Sequence, residues 1–221
     1  MSELKVIRLN FKCVDRGIII GKRIKGGTFR PVVTHIPSST VRGCFLNQFG
    51  IEVKGFGVFK DENYEVREFI SSPRDNTTLT SKFPIITQYL APLNKDRIFG
   101  SMYILNEGQM NFRELKGKTL MLGAMKSKGF GEIIIENVKE LVIHEEDFTQ
   151  GKLCANIYYS YINDFKIKVL APKLGYLIKG YDFIGQGVYK KVTAELALME
   201  DSIIIGPKIF IKRNEETYYD E

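Results

Sequence analysis

Leu9, Phe11 and Cys13 alternate with Arg8, Asn10 and Lys12. A period of two puts every apolar residue on one face of an extended strand and scatters them around a helix. The pattern returns at Val192, Ala194, Leu196 and Leu198, which would share one face. Residues 153–161, 165–170, 203–205 and 209–211 also read as strands, so the second half is strand-rich. The chain has 221 residues, 44% of them apolar, enough for one large domain or two small ones around a real core.

One stretch breaks the extended pattern. In HIPSSTVRGCFLNQFG, residues 35–50, Val41, Phe45, Gln48 and Phe49 keep helical spacing and Gly50 closes the run. The serines after Pro37 offer N-caps, and a helix start with free N–H groups is a ready anion site, with Arg42 in its first turn as a clamp. Plain capping accounts for the same residues.

Residues 51–108 mix short apolar pieces with turn-rich polar stretches such as SSPRDN and read as a long, partly irregular insertion. Residues 109–115 suggest a second short helix. Residues 119–122 and 132–138 read as strands joined by GAMKSKGFGEI. Strand, helix, irregular strands, helix and strand–turn–strand point to an α+β fold, a ferredoxin-like (RRM-like) sheet with its helices on one face and the other face open for a ligand. This domain would span residues 1–150. Residues 151–221 would follow as a strand-rich second half, either a second ferredoxin-like unit or a β subdomain.

Three features carry chemistry. The segment GKRIKGGTFR, residues 21–30, sets Lys22, Arg23, Lys25 and Arg30 around a Gly-Gly pair and reads as a mobile basic loop able to track a nucleic-acid backbone, with Phe29 free to stack on a base. The glycine-rich GAMKSKGFGEI offers Gly123, Gly129 and Gly131 for positive φ and Lys126, Ser127 and Lys128 for charge and hydrogen bonds. Its spacing is neither a Walker loop nor a dinucleotide fingerprint, and a solvated hairpin loop fits it equally. The third is the helix start. In a ferredoxin-like plan all three can lie along one sheet edge.

Catalytic groups are thin. His35 precedes the helix and could act as acid or base on a ribose 2′-hydroxyl, or could be structural. His144 sits among Glu145, Glu146 and Asp147, an acidic run that solvates a loop and has no second ligand cluster to make a metal site. The Tyr158, Tyr159 and Tyr161 cluster could stack bases but fits strand packing. Cys13, Cys44 and Cys154 are scattered without C-x-x-C spacing, which argues against a disulfide framework or a zinc site and fits a reducing cytoplasm. No apolar run approaches the roughly 18 residues of a membrane span. With 32 Lys and Arg against 26 Asp and Glu, the net charge of +6 favours anionic partners.

HIPSSTVRGCFLNQF resembles the I-P-[GS]-S-[ST]-[hydrophobic]-[KR]-G helix start, and GAMKSKGFGEI the glycine loop, of the RAMP superfamily, the repeat-associated RNA-binding proteins of CRISPR systems. The resemblance implies an RRM-like or ferredoxin-like fold and binding of CRISPR RNA inside a multisubunit, type III-like antiviral effector complex. Ser39, Arg42 and Gly43 match the helix-start motif, which in the family faces the guide backbone. Lys126, Ser127, Lys128, Gly129, Phe130 and Gly131 match the glycine loop on the same side. Family subunits that cut target RNA carry an aspartate in the loop before the helix motif, whereas residues 16–37 hold no Asp or Glu. The expectation is therefore an RNA-holding subunit without catalytic residues, metal or cofactor, in a cytoplasmic ribonucleoprotein with other effector subunits. Two alternatives stand: a metal-independent CRISPR RNA-processing endoribonuclease using His35, and a purely structural assembly subunit.

Overall fold

The computed structural model describes residues 3–14, 16–22, 28–60, 64–72, 83–93, 97–184 and 188–212, and of residues 181–184 and 188–191 the backbone alone. In chain order the elements are β1 (Leu4–Cys13), β2 (Phe29–Arg30), β3 (His35–Ile36), α1 (Ser38–Phe49), β4 (Gly55–Phe59), β5 (Tyr64–Ser71), β6 (Ile85–Pro92), β7 (Phe99–Leu105), β8 (Thr119–Met121) and β9 (Glu132–Ile143). They continue as β10 (Phe148–Lys152), β11 (Ile157–Tyr158), β12 (Lys168–Ala171), β13 (Leu174–Ile184), β14 (Val188–Leu198) and β15 (Ile203–Pro207). The molecule is mostly β, and α1 is the one α-helix among the described residues.

The main sheet has six strands in the order β3-β4-β7-β1-β9-β8, every neighbouring pair antiparallel. The alternation in β1 puts Leu9, Phe11 and Cys13 in a core with Met102, Ile104, Ile133 and Ile135, roofed by Val41 and Phe45 of α1. Residues 51–108, expected as a partly irregular insertion, instead hold four strands. β4 and β7 lie inside the main sheet, and only β5 and β6 leave it, joining β2 in a separate three-stranded sheet. Short apolar pieces in that stretch disguised inner strands because their partners are distant in sequence.

The expected second helix is a correction. Residues 112–115 make one 3-10 turn, started by Asn111, whose side chain accepts from the Arg113 N–H at 3.3 Å. Gly108 and Gly117 flank that segment in the left-handed conformation, at φ 75 and 78. The other sheet face is only partly open. Leu4, Val6, Phe56 and Tyr103 on that face pack against Tyr158, Phe165 and Phe210 of the second half. Phe56 stacks on Phe210 at 4.5 Å between centroids and on Tyr103 at 5.4 Å. What stays half-exposed is a polar strip on β1, where Asn10 accepts from the buried Ser101 at 2.8 Å and Lys12 pairs with Glu136 at 2.8 Å.

The second half forms two small sheets, β10-β15-β12 and β11-β14-β13. The long hairpin of β13 and β14 leaves Leu174, Tyr176 and Val192 exposed, so the apolar face expected at Val192 to Leu198 is buried only at its far end, at Leu198. All three cysteines are buried and none is in a disulfide. No described helix is long and apolar enough to cross a membrane, and no group of metal-ligating side chains occurs among the described residues.

Candidate nucleic-acid interface

The start of α1 is not capped as its serines suggest. Pro37 occupies the cap at φ −61, ψ 156, with no side-chain hydrogen bond. Ser38 and Ser39 fall inside the helix, and the Ser38 hydroxyl is buried without a partner. The Ser38 N–H goes to the Asn156 carbonyl at 3.0 Å, while Thr40 and Val41 N–H go to Pro37. No acidic side chain sits in the first turn, so the positive end of the helix dipole is not neutralised from within its own turn. At the other end Gly50 takes the left-handed conformation, φ 69, and its N–H closes on Leu46 at 3.0 Å.

The glycine loop is a built structure. Lys126, Ser127 and Lys128 form a 3-10 turn between Met125 and Gly129, both left-handed at φ 55 and 76. Gly131 has φ 86, and a Cβ there would lie 2.0 Å from the Leu122 carbonyl oxygen, so only glycine fits. Two main-chain bonds lash the loop to the segment after β1: Ala124 N–H to Ile19 at 2.8 Å and Gly131 N–H to Gly17 at 2.9 Å. Phe130 is 2% exposed, held edge-on by Phe69 at 5.7 Å and Tyr89 at 5.1 Å. Its ring anchors the loop from beneath, whereas Ser127, Lys128 and Gly129 are exposed.

Three of the features predicted from sequence meet at one pocket of about 910 Å³. Lys22, Ile19 and Ile20 come from the segment after β1, Ser39, Thr40 and Gly43 from α1, and Gly123, Ala124 and Lys126 from the glycine loop. The remaining lining comes from the second half, through Asn156, Leu177, Ile178, Ala194 and Glu200. This volume lies within the range of ligand sites, and the mixture of apolar walls with a few polar groups is typical of them. Arg30 lies away from the pocket in β2, parallel to β6. Arg23 and Lys25 lie outside the described residues.

Arg42 does not line the pocket. Its guanidinium pairs with Glu52 at 2.6 Å and donates to the Lys179 carbonyl, tying α1 to β13 and so holding the second-half wall in place. The bond to Glu52 raises the guanidinium further above its usual value and lowers Glu52. His35 does line the pocket. It is 3% exposed, its Nδ1 is 3.3 Å from Glu200, and neither ring nitrogen meets a partner with hydrogen-bond geometry. Glu200 is drawn down to about 2, chiefly by His35 and then, against the cost of burial, by Lys212 at 2.7 Å. Asn156 joins the parts, accepting the Glu200 N–H on its side chain at 2.7 Å and the Ser38 N–H on its carbonyl. Cys44 also lines the pocket, but burial pushes its thiol up to about 11, which leaves it inert at neutral pH.

Chains of the Type III-B Cmr-beta assembly share this architecture. One, from the cryo-EM structure bound to cognate target RNA and AMPPnP in state 1, is similar with a TM-score of 0.53 at 13% identity over 90% of this chain and 86% of that one. Another, from the structure bound to cognate target RNA, has a TM-score of 0.52 at 13% identity over the same shares. The likeness is one of fold. No protein-family model matches the sequence, and no curated protein matches it.

The signals for Lys22, Ser39, Gly43 and Lys126 were local and legible in sequence. Asn156 and Glu200 were missed, because nothing near them in sequence ties either to His35.

Proposed function

We propose that the chain is an RNA-binding subunit of a type III-like CRISPR effector complex that holds guide-RNA backbone without cutting it. One observation carries this reading: Lys22, the start of α1 and Lys126, from three separate stretches, reach the same pocket. Cations beside an uncapped helix start are suited to phosphates, and Ser127 and Lys128 extend the basic rim outward. The fold likeness to Cmr-beta chains supports a place in such an assembly. So does the strand order β4-β7-β1-β9 with α1 between β1 and β4, which follows the split βαβ plan with a 3-10 turn in place of its second helix. We read residues 1–150 on that ferredoxin-like, RRM-like plan and residues 151–221 as a second, β-rich unit. The exposed Leu174 and Tyr176 suit contact with neighbouring subunits, and the cytoplasm is the compartment we assign.

The test is the salt dependence of single-stranded RNA binding. Lys126→Ala with Lys128→Ala is expected to weaken binding about tenfold at low salt and to lower the log–log salt slope by about 1.4. Unchanged affinity in the folded double variant would contradict the reading. The endoribonuclease alternative is met by incubating labelled repeat RNA in EDTA, where intact RNA at any protein excess rules it out.

A further inference from the structure

A buried imidazole without hydrogen-bond partners costs about 1–3 kcal/mol unless something else repays it. His35 is that group, 3% exposed on the wall of the pocket. The Glu200 carboxylate lies 3.3 Å from Nδ1, and an anion there favours the tautomer with its proton on Nδ1. Nε2 is then left as a bare acceptor, and in this structure it has no donor. We propose that His35 Nε2 accepts a hydrogen bond from a ribose 2′-hydroxyl of the bound strand, so that the His35–Glu200 pair makes this site prefer RNA to DNA.

This rests on the RNA-binding reading above and deepens it. The charges set the orientation of the strand. Lys22, Lys126 and the start of α1 line the same pocket as His35 and Glu200, and Glu200 is itself paired with Lys212 at 2.7 Å. With phosphates held by Lys22 and Lys126, the sugar is the part of the backbone left to meet His35. The role assigned to His35 is recognition of the sugar, and cleavage of the strand would instead mark it as a general base. Both ring nitrogens are covered, so the hydroxyl reaches Nε2 as side chains around it give way. Met199, unbranched and also lining the pocket, has the freedom to do so. A 2′-hydroxyl, both donor and acceptor, is the group by which a protein tells RNA from DNA.

The experiment uses the full chain at pH 8 and three oligouridine probes of about ten nucleotides: RNA, its 2′-O-methyl form and DNA. The wild type is expected to bind RNA about five- to tenfold tighter than either of the others. His35→Phe should remove most of that ratio while leaving DNA affinity within about twofold, because the phosphate contacts stay. Glu200→Gln, which frees the tautomer, should also reduce the ratio, and it stands in if His35→Phe does not fold. An unchanged ratio in a folded variant overturns the proposal, as does a wild type that binds 2′-O-methyl RNA as tightly as RNA, or cleavage of the strand. A wild type that binds none of the three probes sinks the RNA-binding reading itself.

Discussion

Gly131 and Gly129 separate two things a glycine can do. Both are left-handed, at φ 86 and 76, but a Cβ at 131 would collide with the Leu122 carbonyl at 2.0 Å while one at 129 would meet nothing within 4 Å. Gly129→Ala should therefore cost only the left-handed strain, about 1 kcal/mol. Gly131→Ala should cost about 3 kcal/mol or more, since the backbone must also move and the Leu122 N–H bond to Gly131 at 2.7 Å goes with it. Urea denaturation of both variants checks the difference; equal losses would mean that the loop tolerates rearrangement. The need for glycine here was legible in GAMKSKGFGEI, but which of its glycines is sterically locked was not. That depends on a carbonyl nine residues earlier, fixed only when β8 pairs with β9.

The helix and its tether show how far local pattern reaches. Ser38 to Phe49 and its closing Gly50 could be read directly, because helical spacing and a terminal glycine are local. The serines misled, since Pro37 takes the cap and tertiary bonds from Asn156 claim the Ser38 N–H. Arg42, expected at the guide backbone, is occupied by Glu52 and by the Lys179 carbonyl of β13. The sequence held no sign of that pairing, because β13 lies more than a hundred residues away. Arg42→Ala should destabilise the protein by about 1–2 kcal/mol, discounted for the exposure of Glu52. It should also speed amide hydrogen exchange in residues 174–180 while leaving β1 protected. Unchanged exchange in β13 together with weaker RNA binding would mean that Arg42 serves the ligand directly.

In the molecule as a whole, one sheet carries two cores. α1 covers one face, and the second half covers part of the other through Phe56, Phe165 and Phe210. The β13 and β14 hairpin of that second half reaches α1, closing the pocket against a basic rim drawn from the first. Period-two alternation made the β-rich character readable. The places of β4 and β7 beside β1, and the return of the second half onto the sheet, depend on pairings between distant segments that no short window contains. The account's central claim is that RNA lies along this rim and not on the half-exposed polar strip around Asn10 and Lys12. Ultraviolet crosslinking of bound single-stranded RNA to the full chain, with the crosslinked peptides mapped by mass spectrometry, tests it most directly. The account places the crosslinks in residues 19–22, 39–47 and 123–129. Crosslinks confined to β1 around Asn10 and Lys12, or absent from those three stretches although RNA is bound, would contradict it.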